Sequence, residues 1–374
     1  MAKALQHGAA GVALGVATLG PGHGGIARVA RMSARALIES GADLELISFL
    51  DASKLKLHNH PVSGCRANKL TFAARIHMAA LTRQFVLYDS IGLGRGHPVI
   101  PGLRRPFATW MHGTEVYENM RADYRAVLAR AAMVIANTKY TLDRHQALYG
   151  PLRSAKVCWL ATEHDEPPVD GQMVSFAGPP SALIVGRIET SEGWKGHSEL
   201  IACWPAVMAA VPGARLVIAG GGTGVEALRN HVRASGFAGQ VDVLGFVEEA
   251  TMPELFAKAH VFAMPSRQEG FGIAYVEAMR HGLPVIASTH DAGQEVNVDG
   301  ETGFNVDLDH PTDLTRRLIT LLSQTDLARS MGQQGFARWR THFRYSCFAA
   351  RFVRIWREFE EDSRTRPPVL ANSA

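Results

Sequence analysis

The stretch Val261-Phe262-Ala263-Met264-Pro265-Ser266-Arg267-Gln268-Glu269-Gly270-Phe271-Gly272-Ile273-Ala274-Tyr275-Val276-Glu277 decides the fold, because a short apolar run, a glycine turn and a helix start follow one another without a break. The run 261–266 reads as a buried strand, and the glycines at 270 and 272 open a helix from its carboxyl edge. Glu269 stands at that edge, and Glu277 lies one to two turns inside the helix. Eight helical residues span about 12 Å, and a loop-plus-helix path is shorter. The amides of Gly270, Phe271 and Gly272 make a positive helix start that can face phosphate or sugar oxygens. The pattern suits a ligand with hydroxyls at both ends and phosphates between them. The plainer reading is one solvated glutamate and one acid near a helix start.

A second signal of this kind stands upstream. Ser181-Ala182-Leu183-Ile184-Val185-Gly186-Arg187-Ile188 is an apolar run, followed by the polar loop Trp194-Lys195-Gly196 and a helical pattern. Arg187 and Lys195 therefore emerge on one strand-to-helix loop. A planar guanidinium and a mobile ammonium together neutralise a diphosphate of about two negative charges; the alternative is a pair of solvated surface cations.

Both halves of the chain alternate strands and helices, the pattern of parallel sheets covered on both faces. Strands are expected at 11–19, 44–49, 84–88, 107–111, 133–136 and 156–160, then at 182–186, 215–219, 241–244, 261–264, 284–287 and 303–306. A polar, proline-rich break at 163–171, running on to 178–180, reads as an interdomain hinge. Residues 346–361 form a helical pattern rich in Phe, Val, Ile and Trp, and 364–374 reads as a disordered tail.

The order Gly186-Arg187, Lys195-Gly196, Leu244-Gly245-Phe246-Val247, Pro265-Ser266, Glu269-Gly270-Phe271-Gly272, Glu277-Ala278 and Gly282-Leu283-Pro284-Val285-Ile286-Ala287 resembles the retaining glycosyltransferases of family 4, the group 1 glycosyl transferases. The resemblance covers about residues 181–310 and is looser before residue 165. It implies an α/β protein of GT-B architecture, two Rossmann-like domains facing across a cleft: an acceptor domain over 1–165, a nucleotide-sugar donor domain over 166–345, and a helix over 346–363 crossing back to the first domain. It further implies that Arg187 and Lys195 bind the donor diphosphate, Glu269 the sugar hydroxyls and Glu277 the ribose, with Phe246 and Val247 flanking the base. Gly270, Phe271 and Gly272 would line the donor.

The first half adds two weaker matches. Pro21-Gly22-His23-Gly24-Gly25 reads as a glycine-rich turn between a strand and a helix over 26–39, and the resemblance sets Gly24 and Gly25 against donor phosphates and sugar. Phe107-Ala108-Thr109-Trp110-Met111-His112-Gly113 reads as a strand ending in a His-Gly pair. A lone histidine there is more often structural; the resemblance implies that His112 reaches the donor sugar near the reacting centre.

Length and composition fit two ordinary cores: 374 residues exceed one typical domain, and 47% hydrophobic with 20% charged residues describes a globular class, not a disordered one. Cys65, Cys158, Cys203 and Cys347 form no CxxC pair, so reduced thiols in a cytoplasmic protein are expected. No apolar run is long enough to span a bilayer, and the glycine-broken stretch 9–20 reads as a first strand in place of a secretion signal. Residues 1–165 hold 20 Lys and Arg against 11 Asp and Glu, a balance of +9, which leaves −5 for the remainder of the +4 chain. Within this basic half, 66–83 mixes cations with apolar residues at helical spacing, and Arg104-Arg105 follows. Two readings stay open: an amphipathic helix packed on the sheet, and a peripheral contact with an anionic membrane at its inner face. No module for nucleic acid accompanies the charge.

Three motifs are discounted. Gly220-Gly221-Gly222-Thr223-Gly224 lacks the full dinucleotide spacing and reads as a tight turn beside the donor. Asp307-Leu308-Asp309 imitates a metal-binding D-x-D, yet its place before Pro311 reads as a turn and N-cap, so no metal and no cofactor are expected. His58-Asn59-His60 reads as a casual surface pair in a loop. The resemblance thus implies a retaining, metal-independent hexosyltransferase that moves a sugar from a UDP- or GDP-sugar to a hydroxyl of an acceptor sugar or lipid-linked oligosaccharide, in bacterial polysaccharide or glycolipid assembly. A GT-B sugar-nucleotide epimerase or hydrolase, and a non-catalytic nucleotide-sugar binding protein, are the alternatives.

Overall fold

The structure is a computed structural model that describes residues 10–22, 24–52, 55–113, 115, 119–190 and 193–365. His23 of the first glycine turn and the tail beyond Thr365 lie outside the described residues. In chain order the strands and helices are β1 (Gly11–Val16), α1 (Gly24–Glu39), β2 (Asp43–Ser48), β3 (Lys56–Leu57), β4 (His60–Gly64), α2 (Lys69–Thr82), β5 (Phe85–Tyr88), β6 (Phe107–Met111), α3 (Ala122–Arg130), β7 (Met133–Ala136), α4 (Lys139–Tyr149) and β8 (Ala155–Val157). There follow β9 (Ser181–Val185), α5 (His197–Ala210), β10 (Arg215–Ala219), α6 (Val225–Ala234), β11 (Val241–Gly245), α7 (Met252–Lys258), β12 (Val261–Ala263), α8 (Ile273–Arg280), β13 (Val285–Ser288), α9 (Gly293–Val296), β14 (Gly303–Val306), α10 (Pro311–Ser323), α11 (Thr325–His342) and α12 (Tyr345–Thr365).

Two compact units divide the chain: Met1–Glu163 with Ser346–Ala374, and His164–Tyr345. The division falls at Glu163/His164, inside the polar break. The second unit's sheet runs β11-β10-β9-β12-β13-β14, all parallel, which is the doubly wound order 3-2-1-4-5-6. Its strands are apolar because helices cover both faces; Val261, Phe262 and Ala263 of β12 are all fully buried. The first unit's sheet runs β3-β4-β2-β1-β5-β6-β7-β8 and repeats that order from β4 to β7. Only the β3–β4 pair is antiparallel.

In the first unit, α2 and α3 bring Phe72, Ile76, Val127 and Leu128 to one hydrophobic cluster against the sheet. On α12, Phe348 and Phe352 stack on Trp110 of β6 at 6.1 and 5.9 Å, and Trp356 and Phe359 meet Phe85 of β5 edge-on. This aromatic ladder holds the terminal helix in the first unit.

Five expectations need correction. The first strand stops at Val16, and α1 starts at Gly24, not at residue 26, so Gly24 and Gly25 are its first two residues. The hairpin β3–β4 was missed: His58 and Asn59 take positive φ as its turn, and His60 is a strand residue whose Nε2 bonds the Leu44 carbonyl at 2.7 Å. Arg364 and Thr365, assigned to the tail, extend α12. Asp309 does not cap α10; His310 occupies the cap position without a side-chain cap bond.

Candidate functional site

In a doubly wound sheet, ligands bind outside the carboxyl ends of the strands where the order reverses. In the second unit that point lies between β9 and β12. The loop after β9 carries Arg187 and, on a 3-10 turn over Gly193–Lys195, Lys195; the loop after β12 carries Glu269. The two loops meet. Gly196, with φ 94°, sits so close to Pro265 that a Cβ would stand 2.6 Å from its carbonyl oxygen, and only glycine allows the approach. Lys195 Nζ thereby reaches Glu269 Oε2 in an ion pair whose side chains are only 15% and 16% exposed.

Gly272 takes a left-handed conformation at the start of α8, with φ 83°, and a Cβ there would strike the Tyr275 ring at 2.2 Å. This turn presents the amides of 270–272 at the head of the helix. Phe271 anchors it from beneath, fully buried and edge-on to Phe343 at 5.9 Å. Glu277 lies one turn into α8 and is half-buried. Arg187 is exposed beyond the end of β9.

Phe246, 65% exposed, and half-buried Val247 follow β11 at the same edge. The glycine loop 220–224 after β10 lies between: Gly220 N–H donates to the Gly245 carbonyl at 2.8 Å and Ile188 N–H to Gly221 O at 3.0 Å, so three strand ends are laced together. Arg187, Lys195, Phe246, Val247, Glu269, Gly270, Phe271, Gly272 and Glu277 thus share one carboxyl edge of one sheet.

A buried carboxylate under this edge was not anticipated. Asp291, between β13 and α9, is fully buried; its Oδ2 accepts from Glu269 N–H at 2.8 Å and from the Ser266 hydroxyl, and Oδ1 accepts from Gly293 N–H at 2.8 Å. Burial pushes its carboxyl up to about 7 against the pull of the Ser266 bond. In sequence, aspartate after a strand reads as an ordinary turn residue, and only tertiary packing shows that it is buried.

Among the described residues, His290, Asp307 and Asp309 are the one group placed to hold a metal ion. The same side chains also make hydrogen bonds and ion pairs around the turn before α10. Asp307 accepts from Asp309 N–H at 2.9 Å and bonds both His290 and His310, which holds its carboxyl down at about 2, and Asp309 pairs with Arg267.

The first unit reverses its strand order between β1 and β5. Asp89, directly after β5, is buried; it accepts from Ala17 N–H at 2.7 Å and Ser90 Oγ at 2.9 Å, and burial pushes its carboxyl up to about 6. His112, directly after β6, is 8% exposed and lies parallel to Trp110. Its Nε2 meets the Asp89 carbonyl oxygen at 2.5 Å. A carbonyl only accepts, so the imidazole carries a proton on Nε2. Asn137, missed in the sequence, donates to the His112 carbonyl at 2.9 Å. Gly24 and Gly25 are exposed at the head of α1, and Arg31 of that helix grips the preceding loop through the Gly20 carbonyl while forking onto Glu163 at 2.6 and 2.7 Å. His112 and the two glycines belong to this unit, and all other candidates to the second.

Residues 171–338 match the family model "Glycosyl transferases group 1". A GDP-mannose-dependent alpha-(1-6)-phosphatidylinositol monomannoside mannosyltransferase of Mycobacterium tuberculosis is 29% identical over 65% of this chain and 67% of its own length. Its namesake from Mycolicibacterium smegmatis is 33% identical over 63% and 65%. The chain therefore spans about two thirds of the length of these curated relatives. Among solved structures, sucrose-phosphate synthase from Thermosynechococcus elongatus superposes with a TM-score of 0.80 at 18% identity, over 94% of this chain and 99% of that one. Anabaena HepE, solved with UDP and glucose, gives 0.78 at 18% identity over 93% and 100%. At such identity these two likenesses speak for the fold.

Proposed function

We propose that the chain, similar over 171–338 to the group 1 glycosyl transferases, transfers a hexose from a nucleotide sugar to an acceptor, and that its donor is GDP-mannose and its acceptor a hydroxyl of an inositol- or mannose-bearing lipid at a membrane surface. The observation that carries the donor site is the Lys195–Glu269 pair, which joins the two loops flanking the strand-order reversal. Donor binding exchanges the partners of that pair: the diphosphate takes Lys195, and sugar hydroxyls take Glu269. Arg187 and the amides of 270–272 complete the phosphate cradle, Glu277 takes the ribose, and Phe246 with Val247 flanks the base.

Leaving-group charge is met by Lys195, Arg187 and the helix start, the electrostatic share of catalysis, with no metal required for it. The anomeric carbon is retained in a same-face substitution: the bond to the donor phosphate oxygen breaks, the acceptor oxygen bonds the same face, and the departing phosphate takes the acceptor proton. GDP-mannose is favoured by the names of the mannosyltransferase relatives.

The membrane reading rests on α2. Its inner face buries Phe72, Ile76, Ala79 and Ala80, while Leu70, Ala74, Met78 and Leu81, at spacings of four, four and three, stand outward, Leu70 being 83% exposed. A helix apolar on both faces has one face without a partner. Exposed Arg66 and Lys69 flank that stripe, and the neighbouring loop exposes Val99 and Ile100. Apolar side chains beside cations suit an anionic leaflet. No helix among the described residues is long and apolar enough to cross a membrane.

One experiment tests donor, acceptor and surface together. The protein is incubated with radiolabelled GDP-mannose or UDP-hexoses and vesicles of phosphatidylinositol in phosphatidylcholine, then pelleted. Expected are co-sedimentation, label from GDP-mannose in the lipid fraction, and loss of co-sedimentation in a Leu70→Glu/Met78→Glu variant. Label from a UDP-hexose alone would overturn the donor, no lipid label with any donor would overturn the acceptor, and vesicle-independent behaviour would remove the membrane.

A further inference from the structure

We propose that Asp291 is a positioning residue for sugar transfer, holding the loop 266–272 in the register that presents the Glu269 carboxylate to the donor; this rests on the donor site proposed above. The pairing of β12 with β13 ends at Ala263–Ile286, yet the two chains stay in register beyond it. Met264 N–H donates to the Ile286 carbonyl at 3.0 Å, and the Ser288 hydroxyl donates to the Ser266 carbonyl. Asp291 then accepts the Glu269 N–H, and Ala292 N–H donates to the Glu269 carbonyl at 3.1 Å. The backbone of Glu269 is therefore held on both its polar groups by two consecutive residues of the neighbouring loop. From the other side, Tyr275 of α8 donates to the Met264 carbonyl at 2.6 Å.

A carboxylate is a costly choice for this bracket. Asp291 is buried, its three donors are neutral, and the like charge of Glu269, itself paired with Lys195, pushes its carboxyl further up. An uncompensated buried charge is ordinarily selected against. Its gain lies in geometry: one rigid carboxyl group accepts Ser266 and Glu269 on one oxygen and Gly293 on the other, which fixes the loop on three sides. Asparagine offers one acceptor oxygen and turns a donor toward one of those groups, so it keeps the shape and breaks the bracket.

The test is a double-mutant cycle of Asp291→Asn and Glu269→Gln, reading kcat, KM and the ratio of affinities for nucleotide sugar and free nucleoside diphosphate. Asp291→Asn is expected to lower kcat/KM by roughly 10- to 100-fold and to shrink that affinity ratio. In the double variant it should cost less than about threefold beyond Glu269→Gln alone, because a residue that acts through Glu269 has nothing left to position. Full additivity, or an unchanged Asp291→Asn enzyme, would overturn the proposal. If Asp291→Asn fails to fold, Ser266→Ala, which removes one bond of the bracket, must show the same non-additivity at smaller size. Wild-type protein that binds no nucleotide sugar defeats the donor-site reading itself; wild-type protein that transfers normally beside an additive cycle defeats this inference alone.

Discussion

Replacing Lys195 by Ala is expected to lower kcat/KM for sugar transfer by on the order of 10²–10³-fold and to abolish measurable binding of the nucleoside diphosphate at concentrations that saturate the wild type. Two effects add. A preorganised donor aimed at developing charge is worth about that factor in rate, and Lys195 is held for the task by a 3-10 turn packed on Pro265. It is also largely shielded from water, so its charge acts at short range with little screening by salt. The substitution further strands the Glu269 carboxylate, which is then left without its cation beside phosphate. Arg187→Ala should cost less, about tenfold, because that side chain is exposed and its charge is screened. Steady-state kinetics with nucleotide titration separates the cases. Equal kinetics of Lys195→Ala and wild type would remove Lys195 from the diphosphate site.

Glu269→Gln is expected to lower kcat/KM by roughly 10²-fold while leaving affinity for the free nucleoside diphosphate within about threefold. The asymmetry follows from what each group meets. Hydrogen bonds from hydroxyls to a carboxylate contribute about 1.5–3 kcal/mol each against about 1 for a neutral acceptor. Two such bonds weakened by about 1.5 kcal/mol each give a loss near 10²-fold. Glutamine keeps the volume and one acceptor, so the loop 266–272 stays in place. Because Lys195 loses its partner, the diphosphate no longer competes with Glu269 for it, which offsets part of the loss in nucleotide affinity. A Glu269→Gln enzyme with wild-type kcat/KM, or one that loses nucleotide and sugar alike, would assign the residue elsewhere.

The sequence was legible where chemistry is local. All six strands of the second unit lie within a residue or two of expectation, because each is a short, mainly apolar segment bounded by polar or turn-forming residues. Hence Arg187, Lys195 and Glu269 could be set at strand ends before any coordinates. In the first unit the β3–β4 hairpin went unread: His58, His60 and Pro61 break the apolar pattern, and its turn uses positive φ at His58 and Asn59 where no glycine marks it. The start of α1 was misplaced by two residues because Gly24 and Gly25 read as turn when they are helix.

What stayed hidden in the sites is long-range. Asp291 serves Glu269 across 22 residues, Asn137 serves His112 across 25, and Arg31 holds Glu163 across 132. Each is an ordinary polar residue beside a strand or helix, and only packing makes it a partner. The pair Asp307 and Asp309 shows the same limit: their spacing is local, but their partners His290 and Arg267 come from other loops and are not legible in the sequence.

The proposed donor site is the carboxyl edge of the β11-β10-β9-β12-β13-β14 sheet. A crystal structure of the protein with the nucleotide sugar it transfers measures this directly. The diphosphate is expected within hydrogen-bonding distance of Lys195 Nζ, with the Lys195–Glu269 pair broken and a Glu269 oxygen on a sugar hydroxyl. A bound donor that leaves that pair intact, or that sits away from this edge, would contradict it.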